Sequence, residues 1–131
     1  MEVSDKSDTG KPAAAKLTGS FLNALSGLVS LVRTQRNARI HMMILSLVII
    51  AGIILKISPA HWIAVSLAAG LVLAAECFNT AIESLCDAVM PEYHSGIKKA
   101  KDLAAAAVLI SAMVSVIVGL IVFVPALLRI L

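Results

Sequence analysis

The run of twenty-six residues without a charged side chain at positions 103–128 limits the fold more than any other feature of the chain. A helix of that length rises about 39 Å, which exceeds the roughly 30 Å hydrocarbon thickness of a bilayer. Two further uncharged runs, residues 40–55 and 57–75, contain sixteen and nineteen residues. With 60% hydrophobic and only 15% charged residues, the chain is predicted to be an all-α integral membrane protein with three transmembrane helices.

The helices are expected to form one membrane domain at residues 17–131. Residues 1–16 are rich in polar residues, Gly and Pro, and are predicted to be a disordered tail. Apolar residues then recur at helical spacing, which predicts an amphipathic surface helix over 17–36. The transmembrane helices are predicted over 37–56, 59–90 and 97–130. Ser58 and Pro59 suit the cap and first position of the second span, and Pro91 ends it.

The basic residues are distributed unevenly around the three predicted spans. Six of the eleven Lys and Arg precede the uncharged run at residues 40–55, and three lie between the runs at residues 57–75 and 103–128. The positive-inside rule therefore predicts that the N-terminus and residues 91–102 are cytoplasmic and that the C-terminus is outside. The net charge of +3 fits anionic membrane lipids better than nucleic acid, because few aromatic residues are available to stack on bases.

Four polar residues follow directly on the second uncharged run: Glu76, Asn79, Glu83 and Asp87. At helical spacing they span about 80° around one helix, so they form a single acidic stripe. An ionisable residue at the edge of a membrane helix is costly without a partner, a cation or water. The stripe is therefore the candidate functional site.

Carboxylates on a rigid helix can hold Mg²⁺ and a polyphosphate when lysines of the next helix offset the remaining charge. Glu83, Lys101 and Asp102 have the residue types for that role. Glu76 lies nearest the hydrocarbon, where a lipid hydroxyl could reach it, so it is the candidate general base.

Two other interpretations of the stripe remain open from the residues alone. Glu76 and Asp87 could pair with Lys101 or Arg39 only to hold helices together. The chain could also be a small ion-coupled transporter. Transport sites usually lie near the middle of the bilayer, however, whereas these acids cluster at the cytoplasmic end of the span.

Several segments together resemble the prokaryotic diacylglycerol kinase family, which includes the undecaprenol kinases. Residues 75–87 read AECFNTAIESLCD, residues 91–94 read PEYH, and residues 99–108 read KAKDLAAAAV. Residues 36–41, which read RNARIH, are similar to an upstream segment of the same family. The resemblance covers nearly everything after Lys16.

The resemblance implies a homotrimer in the bacterial inner membrane, with active sites shared between neighbouring subunits. Each protomer would have a surface helix and three spans, and would transfer the γ-phosphoryl group of ATP to a lipid alcohol with Mg²⁺. Glu76 matches the general base, Asn79 its supporting residue, and Glu83 the metal and ATP ligand. The nucleotide positions match Glu92, Tyr93, His94, Lys101 and Asp102. The lipid-substrate positions match Glu76 and Asn37, Ala38, Arg39, Ile40 and His41.

Two departures from the family pattern involve three positions. Gln35 stands where the family has a second metal-binding glutamate, so the Mg²⁺ site would have one carboxylate fewer. A catalytically impaired homologue is therefore an alternative to an active kinase. Lys16 and Asn23 stand where some members have an arginine and an aromatic residue for the nucleotide. The acceptor, diacylglycerol or undecaprenol, stays open.

Overall fold

The computed structural model describes residues 12–130, and its secondary structure is entirely helical over that range. The four helices are α1 (Ala13–Thr34), α2 (Arg36–Ile54), α3 (Pro59–Val89) and α4 (Ser95–Leu128). All four are long and apolar enough to cross a membrane by length and composition. The chain is therefore an all-α integral membrane protein, as its hydropathy predicts.

Helix α1 begins earlier than the sequence pattern predicts. Its first residue is Ala13, four positions before the expected start, so residues 13–16 belong to the helix and not to a tail. The three alanines there have the highest helix propensity of any residue type, and Pro12 precedes them at the N-cap. The rest of the predicted tail, residues 1–11, lies outside the described residues. α1 ends at Thr34 because Gln35 adopts an extended backbone (φ −98°, ψ 119°), after which α2 starts.

A tight turn joins α2 to α3. The backbone N–H groups of Lys56 and Ile57 donate to the carbonyls of Ile53 and Gly52, which closes the end of α2. This pattern places Lys56 in the left-handed region at φ 48°. On the other side of the turn, the Ser58 side chain accepts from the His61 N–H at 3.3 Å, with Pro59 following as the first helical residue. The start of α3 is thus confirmed to the residue.

Among the described helices, α3 and α4 pack against each other most extensively. A small apolar core lies near the α2–α3 turn, where Ile57, Val65 and Val122 are buried together. Trp62 packs over Gly52, so close that a Cβ atom at position 52 would lie 2.7 Å from the indole. The acidic stripe lies toward the other end of α3.

Candidate active site at the C-terminal half of α3

The acidic stripe lies on the unbroken helix α3, as the residue spacing predicts. Its first member, Glu76, is almost completely buried, with 1% of the residue exposed. The partner that faces it comes from α2: the Nε2 atom of His41 lies 3.3 Å from Oε1 of Glu76. Glu76 therefore contacts neither Lys101 nor Arg39, the two cations that sequence reasoning offered as structural partners.

His41 and Glu76 are close enough for an ion pair, but the direction of the imidazole N–H does not make a hydrogen bond. Oε1 of Glu76 is buried and has no hydrogen-bond partner in the described part of the chain. The imidazole N–H is thus close to this oxygen without pointing at it. Burying a carboxylate oxygen without a hydrogen-bond partner is costly, so Glu76 retains capacity for a further donor.

One turn further along α3, the Asn79 side chain donates from Nδ2 to Oε1 of Glu83 at 3.2 Å. Its own carbonyl oxygen, Oδ1, is buried without a partner, and so is the hydroxyl of Thr80. The structure thus places Asn79 directly on Glu83. Carboxylate and amide oxygens therefore lie close together here, and they can accept further hydrogen bonds or bind a cation.

The last acid of the stripe belongs to a clamp between α3 and α4. Lys101 donates a hydrogen bond to Asp87, which ties the C-terminal end of α3 to the N-terminal end of α4. Lys101 precedes the uncharged run of α4, and the hydrogen bond to Asp87 raises the pKa of its ammonium group. Its contribution to stability is therefore present at neutral pH and is lost only as the pH rises through that pKa. Lys98 pairs with Asp102 at 2.7 Å, one helical turn apart on α4.

A divalent cation at this end of α3 would require hard oxygen donors. No three Asp, Glu, His or Cys side chains converge on one point between residues 12 and 130. Mg²⁺, however, is commonly held by one or two carboxylates, with phosphate and water oxygens completing its shell. The Glu83 carboxylate and the unpartnered Asn79 oxygen are hard donors of that kind, so they fit the ion.

The other residues singled out from the sequence are mostly exposed. Glu92 and Tyr93 are exposed in the α3–α4 loop, with Tyr93 83% accessible. His94 caps α4, where its Nδ1 accepts from the Gly96 N–H. Lys16 and Asn23 are exposed along α1.

On the first turns of α2, Ala38 is fully buried, whereas Asn37, Arg39 and Ile40 are exposed. Gln35 is half-buried, and its hydrogen bonds within the described range are made by its backbone. The structure therefore brings His41 to Glu76 but provides no contact of Gln35 with Glu83.

An apolar groove with a cavity volume of about 150 Å³ extends from His41 toward the core near the α2–α3 turn. Helices α2, α3 and α4 line it, with Val65 and Phe123 near its far end and Ser115 as a small polar group along its wall. His41 lines this cavity and also contacts Glu76. An extended hydrocarbon chain could therefore lie in the groove with its polar end near the carboxylate.

Sequence reasoning missed two participants. It assigned His41 to lipid contact and did not connect it with Glu76, because the pairing depends on how α2 is rotated against α3. It did not single out Thr80, although this buried hydroxyl without a partner adjoins the stripe. A signal for Thr80 was present in the motif, where it follows Asn79 directly.

Comparison with known proteins identifies relatives along most of the chain. The model of a family described as "Prokaryotic diacylglycerol kinase" matches residues 22–123. An undecaprenol kinase of Bacillus subtilis (strain 168) is 37% identical over 106 residues, which cover 81% of this chain and 86% of that protein. A diacylglycerol kinase of a Synechocystis strain is 39% identical over 119 residues, covering 90% of this chain and 68% of the relative.

Proposed function

Since the chain belongs to the prokaryotic diacylglycerol kinase family and is a lipid kinase, we propose that Glu76 is the general base that activates the hydroxyl of its lipid acceptor. The observation that carries this proposal is the almost complete burial of Glu76, which has one carboxylate oxygen lacking a hydrogen bond and contacts His41 at the edge of an apolar groove. A carboxylate in that setting can accept a proton from an alcohol that arrives from the hydrocarbon.

In the proposed reaction, the acceptor hydroxyl attacks the γ-phosphorus of ATP, and the bond from that phosphorus to the β–γ bridging oxygen breaks. The proton of the hydroxyl passes to an oxygen of Glu76, and ADP leaves with the bridging oxygen. The products are the lipid phosphate and ADP. Positioning and charge stabilisation supply most of the catalysis in such a transfer, because the protein forms no covalent bond.

For the nucleotide, we assign Glu83 with the free oxygen of Asn79 as the residues that would hold Mg²⁺, and Gln35 as a further neutral oxygen ligand. Bound Mg²⁺ would neutralise charge on the phosphates of ATP. Lys101 and Asp102 belong to the same nucleotide site. The Lys101 ammonium carries three donors and uses one on Asp87, so the others remain for phosphate.

The acceptor is proposed to be diacylglycerol or undecaprenol, the lipids in the names of the two relatives. Both present a hydroxyl at one end of long hydrocarbon chains. An apolar groove with His41 and Ser115 as its few polar groups accepts either. Labelled ATP supplied with each lipid in parallel to the purified protein in detergent measures the preference directly.

The same assay tests the roles of the two glutamates, each of which serves as the control for the other. We expect Glu76→Gln to lower lipid phosphorylation at least about a hundredfold while MgATP binding persists, because the base is lost and the metal ligand is kept. Glu83→Ala should instead weaken MgATP binding itself. Near-normal turnover of Glu76→Gln, or unchanged nucleotide affinity of Glu83→Ala, would contradict the corresponding role.

The arrangement in the membrane is also a proposal. We assign α1 to the cytoplasmic surface and α2, α3 and α4 to the bilayer, with three copies of the chain forming shared sites. The acidic end of α3 then faces the compartment that contains ATP. Many large apolar side chains of the single chain are exposed, for example Leu67 and Leu103, which fits helices that face lipid or other subunits.

A further inference from the structure

His41 is the described ionisable residue that lies within ion-pair distance of Glu76. Its Nε2 atom is 3.3 Å from Oε1, and the side chains of His41 and Glu76 are 22% and 2% exposed. A carboxylate that is so thoroughly removed from water depends strongly on any donor nearby, since the surroundings do not screen or solvate it.

The charged groups on the neighbouring turns are engaged elsewhere. Glu83 lies seven residues further along α3, about 10 Å away along the helix axis, and receives the Asn79 amide. Asp87 is held by Lys101, and Asp102 by Lys98. The helix that packs against Glu76 from the other side, α2, contributes His41.

His41 also lines the apolar groove. One side chain therefore touches both the candidate base and the space in which a lipid chain could lie. The distance from Nε2 to Oε1 is already short enough for a hydrogen bond, so it is the direction of the N–H that prevents one.

We propose that His41 is a positioning residue for Glu76: its Nε2–H donates to Oε1 and fixes the orientation in which the carboxylate receives the acceptor hydroxyl. This inference rests on the proposed role of Glu76 as general base. It goes beyond lipid contact, because it assigns the effect of His41 to the chemical step and not to acceptor affinity.

The test compares His41→Leu, which removes the donor at similar volume, with His41→Gln, whose side-chain amide can place a donor near the position of Nε2. We expect His41→Leu to lower kcat at least about tenfold with little change in KM for ATP or lipid, and His41→Gln to recover much of that loss. The matched control is His61→Leu, in the first turn of α3 at the opposite end, which should keep wild-type kcat. A thermal melt of each variant in detergent reports folding.

A double variant decides whether His41 acts through Glu76. If it does, adding His41→Leu to Glu76→Gln lowers the residual rate no further. Independent losses in the double variant, or a His41→Leu effect confined to the KM for lipid, would overturn the proposal. So would equal losses in folded His41→Leu and His41→Gln. If Glu76 is not the base, the Glu76→Gln single variant stays active. That result distinguishes failure of the base assignment from failure of the His41 proposal.

Discussion

Gln35 is the residue with extended backbone between α1 and α2. It is half-buried, and its backbone N–H donates to the Leu31 carbonyl. If its side chain faces the metal held by Glu83, Gln35→Glu adds a negative ligand to a divalent cation. A unit charge 4 Å from another gains about 1 kcal/mol even at the screening of bulk water. We therefore expect the magnesium concentration for half-maximal rate to fall at least about fivefold, as measured by titration of the lipid kinase activity.

The matched control is Thr34→Glu, which adds the same charge at the neighbouring exposed position. It should leave the magnesium dependence unchanged. A Gln35→Glu protein with unchanged magnesium dependence and a lowered melting temperature would show instead that the new carboxylate is buried without a partner. The metal-ligand assignment of position 35 would then be wrong.

Single residues differ in how far the sequence predicts their surroundings. The stripe from Glu76 to Asp87 was predictable because helical spacing is a local property and α3 is unbroken. Their partners were predictable only in part. Asp87 pairs with Lys101, as one of the sequence alternatives offered, whereas Glu76 contacts His41 and neither Lys101 nor Arg39. Such pairings depend on the rotation and offset of packed helices, which no local pattern encodes.

At the scale of elements, the contact of Gly52 on α2 with Trp62 on α3 sets how closely the two helices approach. A methyl group at position 52 would lie 2.7 Å from the indole, so the ring or the helix must move. We expect Gly52→Ala to lower the free energy of unfolding by about 1–3 kcal/mol, the usual cost of overpacking. Thermal unfolding in detergent measures it.

Gly70→Ala on α3 is the matched control, because no atom lies within 4 Å of the added Cβ. Replacing a helical glycine there should leave the stability unchanged or raise it by up to about 1 kcal/mol. Equal melting temperatures for the Gly52 and Gly70 variants would mean that the indole shifts freely and that this contact does not fix the helix pair.

The helix ends show which local signals can be trusted. The start of α3 was predicted correctly because a capping serine followed by proline has a defined geometry. The start of α1 was placed too late because hydrophobic periodicity is absent from residues 13–16, although their alanines favour a helix. Helix α1 therefore includes residues that have high helix propensity but no amphipathic pattern.

At the scale of the whole molecule, the number of membrane crossings decides on which side the termini lie. All four helices qualify as spans by length and composition, whereas the proposal leaves α1 on the surface. We expect a reporter fused after residue 131 to be extracytoplasmic and one inserted at Gly96 to be cytoplasmic, because nine of eleven basic residues lie on the inferred inside.

An N-terminal reporter provides the control for this assignment. It should share the cytoplasmic side with Gly96 and differ from the C-terminal reporter. If both termini label on one side, four crossings replace three. If the Gly96 reporter labels outside, the acidic end of α3 would be separated from ATP, and the proposed kinase site would lie in the wrong compartment.

Helix α3 has 31 residues and is about 46 Å long, which exceeds the hydrocarbon thickness of a bilayer by roughly half. Glu76 and Asp87 are separated by about 16 Å along its axis. Pulling a lipid chain into water costs about 0.8 kcal/mol for each methylene. With Glu76 as the proposed base at the depth of the lipid hydroxyl and Asp87 in the aqueous phase, that extraction would not be needed. The acceptor would reach the site by lateral diffusion within its own leaflet, and only the soluble nucleotide would approach from water.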